Sequence, residues 1–198
     1  MYPIRLTGQK VALREFRPDD VGAVHAVVGD DRVTTWLSFE SRDRAQAESM
    51  VYGAIKRAHD PRRAEYYLAV TPLGTEQLVG FVRLALDGVA AGKLGYAIGA
   101  DHWGNGYASE ATALMVEFGF ETLQLHRISA AIGPDNSASI AVAARLGMSY
   151  EGRIRHHVLT NGQWRDSLLY SVLVDEWRRR AALGEPGSAA DWEHGAAG

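Results

Sequence analysis

The sequence predicts a single α+β domain, a mostly antiparallel sheet with helices on both faces. Three observations lead there. Hydrophobic spacing alternates between strand-like and helical along the chain, in the order strand, two helices, a run of strands, helix, strand, helix and closing hairpin. Two turn signals, Pro72-Leu-Gly-Thr75 and Asn161-Gly162, join neighbouring apolar runs as antiparallel hairpins. The length of 198 residues suits one domain with a sizeable core, and no internal repeat divides it.

Val11 to Phe16 alternates, with Val11, Leu13 and Glu15 on one side, and reads as the first strand. Pro18 suits the first position of a helix whose dipole Asp19 and Asp20 complement, and Val21, Val24, Val27 and Val28 give it an apolar face. Gly29-Asp-Asp31 ends it. Thr34 to Phe39 is an apolar-aromatic connector to a second helix, for which Ser41 is the expected N-cap. Ala47, Met50, Val51, Ala54, Ile55 and Ala58 carry that helix until Pro61 closes the region. Glu65 to Val70 and Leu78 to Leu86 are hairpin strands, and Lys93 to Gly99 and His126 to Ile132 are further short strands. Asn136 or Ser137 caps a helix through Ile140, Ala143 and Ala144, with Gly147 at its left-handed end. Tyr150 to Leu159 and Trp164 to Val174 flank Asn161-Gly162. The domain spans residues 4–178. Residues 179–198, rich in Gly, Ala and Ser from Glu185 onward, are expected to be a flexible tail.

A net charge of −3 leaves no basic footprint, which argues against nucleic acid as the main partner. The absence of cysteine rules out disulfides, thiolate metal sites and a cysteine acyl-enzyme, and is compatible with a reducing cytoplasm. No apolar run reaches the length of a membrane span, and Met1-Tyr-Pro-Ile-Arg-Leu6 lacks the apolar core of a signal peptide. A cytoplasmic enzyme or binding protein is expected.

The stretch most informative about chemistry is Asp101-His-Trp-Gly-Asn-Gly106. It joins an apolar strand to a helix with Ala111, Leu114, Met115 and Phe118 on one face. A glycine turn at a helix N-terminus presents unpaired backbone N–H groups and the positive end of the dipole, which suits a phosphate. The dinucleotide pattern fails because Ser109 stands at its last position, and no P-loop Gly-Lys-Ser/Thr occurs. Trp103-Gly-Asn-Gly106-Tyr-Ala108 instead resembles the Gln/Arg-x-x-Gly-x-Gly/Ala motif of the GNAT acetyltransferases. Trp103 departs from its first position. Tryptophan followed by Gly-x-Gly-Tyr-Ala-x-Glu-Ala is similar to the RimJ/RimL branch. Two further segments match in order: Arg127 through Asn136 to Ser139 resembles the family's fifth strand and fourth helix, and Arg145-Leu-Gly-Met-Ser-Tyr-Glu-Gly152 its Lys-Leu-Gly-Phe-x-x-Glu-Gly ending. His157 to Trp177 resembles the closing hairpin of that branch.

The resemblance implies the GNAT acyl-CoA N-acyltransferase fold with a splayed central sheet, acetyl-CoA as donor, and an amine acceptor, either a peptide N-terminus or a small molecule. By it, Trp103, Gly104, Asn105, Gly106, Tyr107 and Ala108 hold the pyrophosphate, and the backbone of Tyr96, Ala97 and Ile98 pairs with the pantetheine arm as an added strand. Asn136 and Arg145 contact the pantetheine and the adenosine-phosphate end, and Ser139 hydrogen-bonds the CoA sulfur. Trp36, Phe39 and His157 line the acceptor side. Without the family, Asn136 reads as a helix cap, Arg145 as a surface charge and Ser139 as a first-turn helix residue. No metal is expected, since adjacent His156 and His157 on a strand face opposite ways. Glu110 reads as structural, and Asp166 as the local partner of an arginine.

Two groups common in the family are missing: Lys93 stands where a glutamate is usual and Ala143 where a tyrosine is. A site without a carboxylate base suits an α-amine, with a pKa of about 8, over a lysine amine near ~10.4; the gap is worth roughly 3 kcal/mol of deprotonation. With no cysteine, transfer is expected to be direct, in a ternary complex. A non-catalytic acyl-CoA-binding domain and a transferase for a larger acyl group stay open, as does a homodimer through the closing hairpin or exposed apolar surface.

Overall fold

A computed structural model describes residues 2–183; of the flexible tail expected at 179–198, residues 179–182 are instead helical and those from 184 onward lie outside the described residues. β1 (Arg5–Thr7) and β2 (Val11–Arg14) form an antiparallel hairpin. A 3-10 turn at Pro18–Asp20 leads into α1 (Val21–Val28), the short α2 (Asp31–Thr34) and α3 (Arg44–Ala58). β3 (Glu65–Pro72), β4 (Gly80–Leu86) and β5 (Ala91–Ile98) form an antiparallel meander. α4 (Tyr107–Glu117) runs on into a π-helical turn, Phe118–Thr122. β6 (Arg127–Ile132), α5 (Ser137–Arg145), β7 (Ser149–Thr160), β8 (Gln163–Leu173) and α6 (Val174–Ala182) complete the described chain.

The strands form one sheet ordered β1-β2-β3-β4-β5-β6-β8-β7. Its neighbours are antiparallel except at β5–β6, which pair in parallel through Ala91↔Arg127, Gly92↔Ile128 and Lys93↔Ser129. Beyond Lys93 the two strands part, giving the expected splay. One face is covered by α1 and α3, whose Val24, Val27, Val28, Val51 and Ala54 cluster with Phe16, Phe81 and Ala97. On the other, Met115, Val116, Val142 and Trp177 of α4, α5 and α6 join Leu68, Leu84, Ile128 and Val172. Each such Val, Leu, Ile, Phe or Met side chain contributes roughly 1.5–3 kcal/mol relative to exposure, so burial on both faces outweighs exposed ion pairs at up to about 1 kcal/mol.

Several local expectations change. Asp43, not Ser41, caps α3: its carboxylate accepts from Gln46 N–H at 2.8 Å while Gln46 Oε1 accepts from Asp43 N–H at 2.9 Å. The reciprocal box satisfies two orphan donors, and the Ser41 hydroxyl is engaged by Thr34 and Asp31. β2 ends at Arg14, and the Glu15 carboxylate is held by Arg63 at 2.6 Å. β1 and α6 are additional elements; α6 buries Trp177 within an otherwise charged run.

Candidate active site

Gly104 and Gly106 both lie at φ +81°, where a β-carbon is strained. The two reversals carry the chain from the 3-10 turn Ala100–His102 to α4, with Gly106 as N-cap. No side chain caps this helix. Among the described residues no oxygen accepts from the amides of Gly104 to Ser109. These donors, with the positive end of the α4 dipole, form an edge whose chemistry suits an anion. Asn105 locks the turn by donating from Nδ2 to His102 O at 3.0 Å. The Trp103 indole N–H donates to Ile98 O at 2.8 Å, and its ring is half exposed. Tyr107 and Ala108 are half-buried against the α4-side core.

Two cations flank the turn. Arg145 of α5 reaches Ser109 Oγ at 3.4 Å. Lys10, which the sequence reading did not single out, has Nζ 3.4 Å from Asn105 O. Glu110 is fully buried, and its carboxylate points away from the turn into the β1–β2 hairpin, accepting from the amides of Gln9, Lys10 and Val11 at 2.7 Å each.

The splay begins next to this turn. Gly99 N–H donates to Val79 O and Asp87 N–H to Ala91 O, which sets the phase of the β4–β5 ladder. Alternation then turns the backbone of Gly95 and Ala97 towards β4, and that of Leu94, Tyr96 and Ile98 towards the opening beside β6. Ala97, expected as a backbone contact for the donor, therefore faces the wrong way. The Ile98 carbonyl is occupied by the Trp103 indole. The Tyr96 hydroxyl donates to Ser139 Oγ at 2.9 Å, bridging β5 and the first turn of α5. Burial raises the Tyr96 pKa, against the opposing effects of the Ser139 hydrogen bond and the Arg145 charge. It therefore remains a protonated donor at neutral pH. Ser139 N–H in turn donates to Asn136 Oδ1 at 3.0 Å, so Asn136 is the cap of α5. Lys93 pairs with Asp87 at 3.0 Å, and Ala143 is buried.

Arg32 of α2, which precedes the α2–α3 connector, reaches Asp101 in the turn after β5 at 3.1 Å. The β7–β8 hairpin holds this connector. Asn161 (φ +50°) and Gly162 (φ +69°) make the tight turn, and Asn161 N–H donates to Glu40 Oε1 at 2.7 Å. Arg165 donates to Thr35 O at 2.6 Å and to Leu37 O. Trp36 is exposed on the connector, whereas Phe39 is half-buried with the Arg42 guanidinium 4.1 Å over its ring. His157 Nδ1 lies 2.9 Å from Ser167 Oγ.

The strand alternation expected for His156 and His157 does not hold. Register slips between Ile154 and Val158, and His156 sits at φ +48° with its N–H donating to Asp166 and its ring stacked on Trp164. Asp166 also pairs with Arg153 at 2.8 Å, the arginine partner expected. Among the described residues no three His, Asp or Glu side chains form a metal-binding group, and no helix is long and apolar enough to cross a membrane.

An acetyltransferase (GNAT) domain model matches residues 10–149. The uncharacterized N-acetyltransferase YoaA of Bacillus subtilis (strain 168) is 32% identical over 177 residues, covering 87% of this chain and 98% of that protein. The [ribosomal protein uS5]-alanine N-acetyltransferase of Escherichia coli (strain K12) is 31% identical over 128 residues, covering 63% of this chain and 66% of that protein. In fold, the chain is similar to Mycobacterium smegmatis RimJ in complex with CoA-disulfide, with a TM-score of 0.77, 23% identity and coverage of 94% and 98%.

Proposed function

Because this chain belongs to the GNAT acetyltransferase family and is an N-acetyltransferase of its RimJ/RimL-like branch, we propose that the glycine turn binds the diphosphate of acetyl-CoA and that the acetyl group passes directly to an α-amine. The observation that carries this reading is the row of amides from Gly104 to Ser109, unclaimed by any oxygen among the described residues and flanked by Lys10 and Arg145. The fit is chemical: backbone donors, a helix dipole and two cations meet a doubly charged diphosphate. The gap-facing backbone of Tyr96 and the Ile98 N–H extend the site along β5 towards Ser139.

The donor brings an acetyl thioester, whose C–S bond breaks as the C–N bond to the amine forms. Ser139 is the group we assign to hydrogen-bond the departing sulfur. Its oxygen already accepts from Tyr96, which orients its own proton outward and strengthens it as a donor. Tyr96 thus supplies from β5 the phenol that Ala143 cannot supply from α5. The amine loses one proton to solvent as the thiolate takes one up. With Lys93 tied to Asp87, no carboxylate base stands at the usual place, which favours an amine already partly neutral near pH 7.5. The Escherichia coli relative is named for acetylating an alanine, a residue with no side-chain amine, which supports an α-amine here. Trp36, the half-buried Phe39 and His157 are proposed to border the acceptor, on the connector that Arg165 and Asn161 hold.

Thiol release from acetyl-CoA tests this with paired peptides, one with a free N-terminus and no lysine, the other N-terminally blocked with one lysine. Faster turnover of the first is expected, by about tenfold or more. Equal or faster lysine acetylation would overturn the α-amine assignment, and a folded protein with no calorimetric affinity for CoA would overturn the donor site.

A further inference from the structure

Glu110 has no role in the chemistry above, yet it is a fully buried carboxylate on the first turn of the helix that forms the donor site. Burying a carboxylate is costly unless it is fully hydrogen-bonded. Here Oε1 accepts from Gln9 N–H and Oε2 from Lys10 and Val11 N–H, each at 2.7 Å. Such charge-assisted bonds are about twice as strong as neutral ones. They span about a hundred positions of sequence and fasten the β1–β2 turn to α4. Gly8 makes room for this contact: a β-carbon there would stand 2.7 Å from Glu110 Cδ.

The turn so fastened carries Lys10. Its backbone is fixed by Glu110, while its ammonium reaches Asn105 O at 3.4 Å and lies 3.1 Å from where a β-carbon on Gly106 would be. Lys10 is exposed and, among the described residues, its ammonium pairs with no carboxylate. A cation without a counter-ion, held over a row of amide donors, is half of a phosphate site. We propose that Lys10 is a diphosphate-binding residue brought to the cradle from the sheet's far edge strands, and that Glu110 is the positioning residue that holds it there. This rests on the donor-site reading above.

Calorimetry with CoA and with dephospho-CoA, which lacks the 3′-phosphate, separates a diphosphate contact from a 3′-phosphate contact. Lys10→Gln is expected to weaken both ligands alike, by about tenfold, and Lys10→Arg to restore most of the loss. Glu110→Gln is expected to weaken binding in the native background but to add nothing in the Lys10→Gln background, because it acts through Lys10. Gly8→Ala, which crowds the same carboxylate, should behave as Glu110→Gln does and serves if that variant fails to fold. Native protein that binds CoA, with Lys10→Gln equally tight, would overturn the role of Lys10 and leave the donor site standing. Loss confined to CoA would overturn the diphosphate assignment. A Glu110→Gln or Gly8→Ala effect of equal size in both backgrounds would overturn the positioning role. Absence of any binding by the native protein would overturn the donor site itself.

Discussion

The hydroxyl of Tyr96 donates to Ser139 Oγ at 2.9 Å, joining a strand and a helix on opposite sides of the place where β5 and β6 part. If Ser139 gives its proton to the leaving sulfur, takes one from Tyr96, and Tyr96 recovers one from solvent, removing either hydroxyl slows the chemical step. Ser139→Ala is expected to lower kcat by about 100-fold, within the range for a general acid. Tyr96→Phe should lower it by about tenfold, and the double variant should be no slower than Ser139→Ala alone. Steady-state kinetics at saturating donor checks all three, and multiplicative losses would separate the two residues.

Gly106 is the position where the donor site tolerates least. A β-carbon at φ +81° costs about 1–2 kcal/mol of backbone strain, and it would stand 3.1 Å from Lys10 Nζ. Gly106→Val is therefore expected to weaken CoA binding by about 50-fold or more in calorimetry, while the far-ultraviolet circular dichroism spectrum stays native.

On the far part of the sheet, Arg127 and Ser171 hold the Glu151 carboxyl down at about 2. Its unfolded value is higher, about 4.3, so the stabilisation is complete above about pH 5 and disappears as pH falls towards 2. The pair is a third exposed, so the effect is modest. Glu151→Gln should lower Tm by about 1–3 °C at pH 7, and the gap to the native protein should narrow steadily in melts taken from pH 5 downward.

Arg165 bonds the carbonyls of Thr35 and Leu37 and so holds the connector that carries Trp36. Its Nε is buried without a partner, which limits what the side chain adds to stability. Arg165→Ala is expected to raise the KM for the amine by about fivefold while the donor Kd changes by less than about twofold. Equal shifts in both constants would show that the connector serves the donor instead.

What the sequence made legible was whatever local stereochemistry demands. Gly104, Gly106, Gly147, Asn161 and Gly162 all occupy the positive-φ region where their residue types suggest a turn or helix end. The long periodic runs of α1, α3 and α4 were equally plain. β1 was not, because Arg5-Leu-Thr7 carries one apolar residue on an edge strand. α6 was hidden because Trp177 is surrounded by Asp175, Glu176 and three arginines, which read as surface. The side-chain partners in the site were illegible for a different reason. Tyr96 meets Ser139 across 43 positions, and Glu110 meets Lys10 across 100. No local period encodes such pairs, so Tyr96 was legible as a strand residue but not as a hydroxyl donor, and Lys10 not at all. Ala97 shows the converse: proximity to the motif did not reveal which way its amide turns.

The three-residue junction of β5 with β6 is the shortest in the sheet that does not involve an edge strand. Few rungs there mean that the sheet's interior is most easily unzipped along the line proposed for the donor. A donor lying on the Tyr96 backbone would add rungs to that line. Heat resistance should then track nucleotide concentration, gaining about 2.7 kcal/mol at a hundred times Kd, and hydrogen exchange should slow first at Leu94 to Ile98.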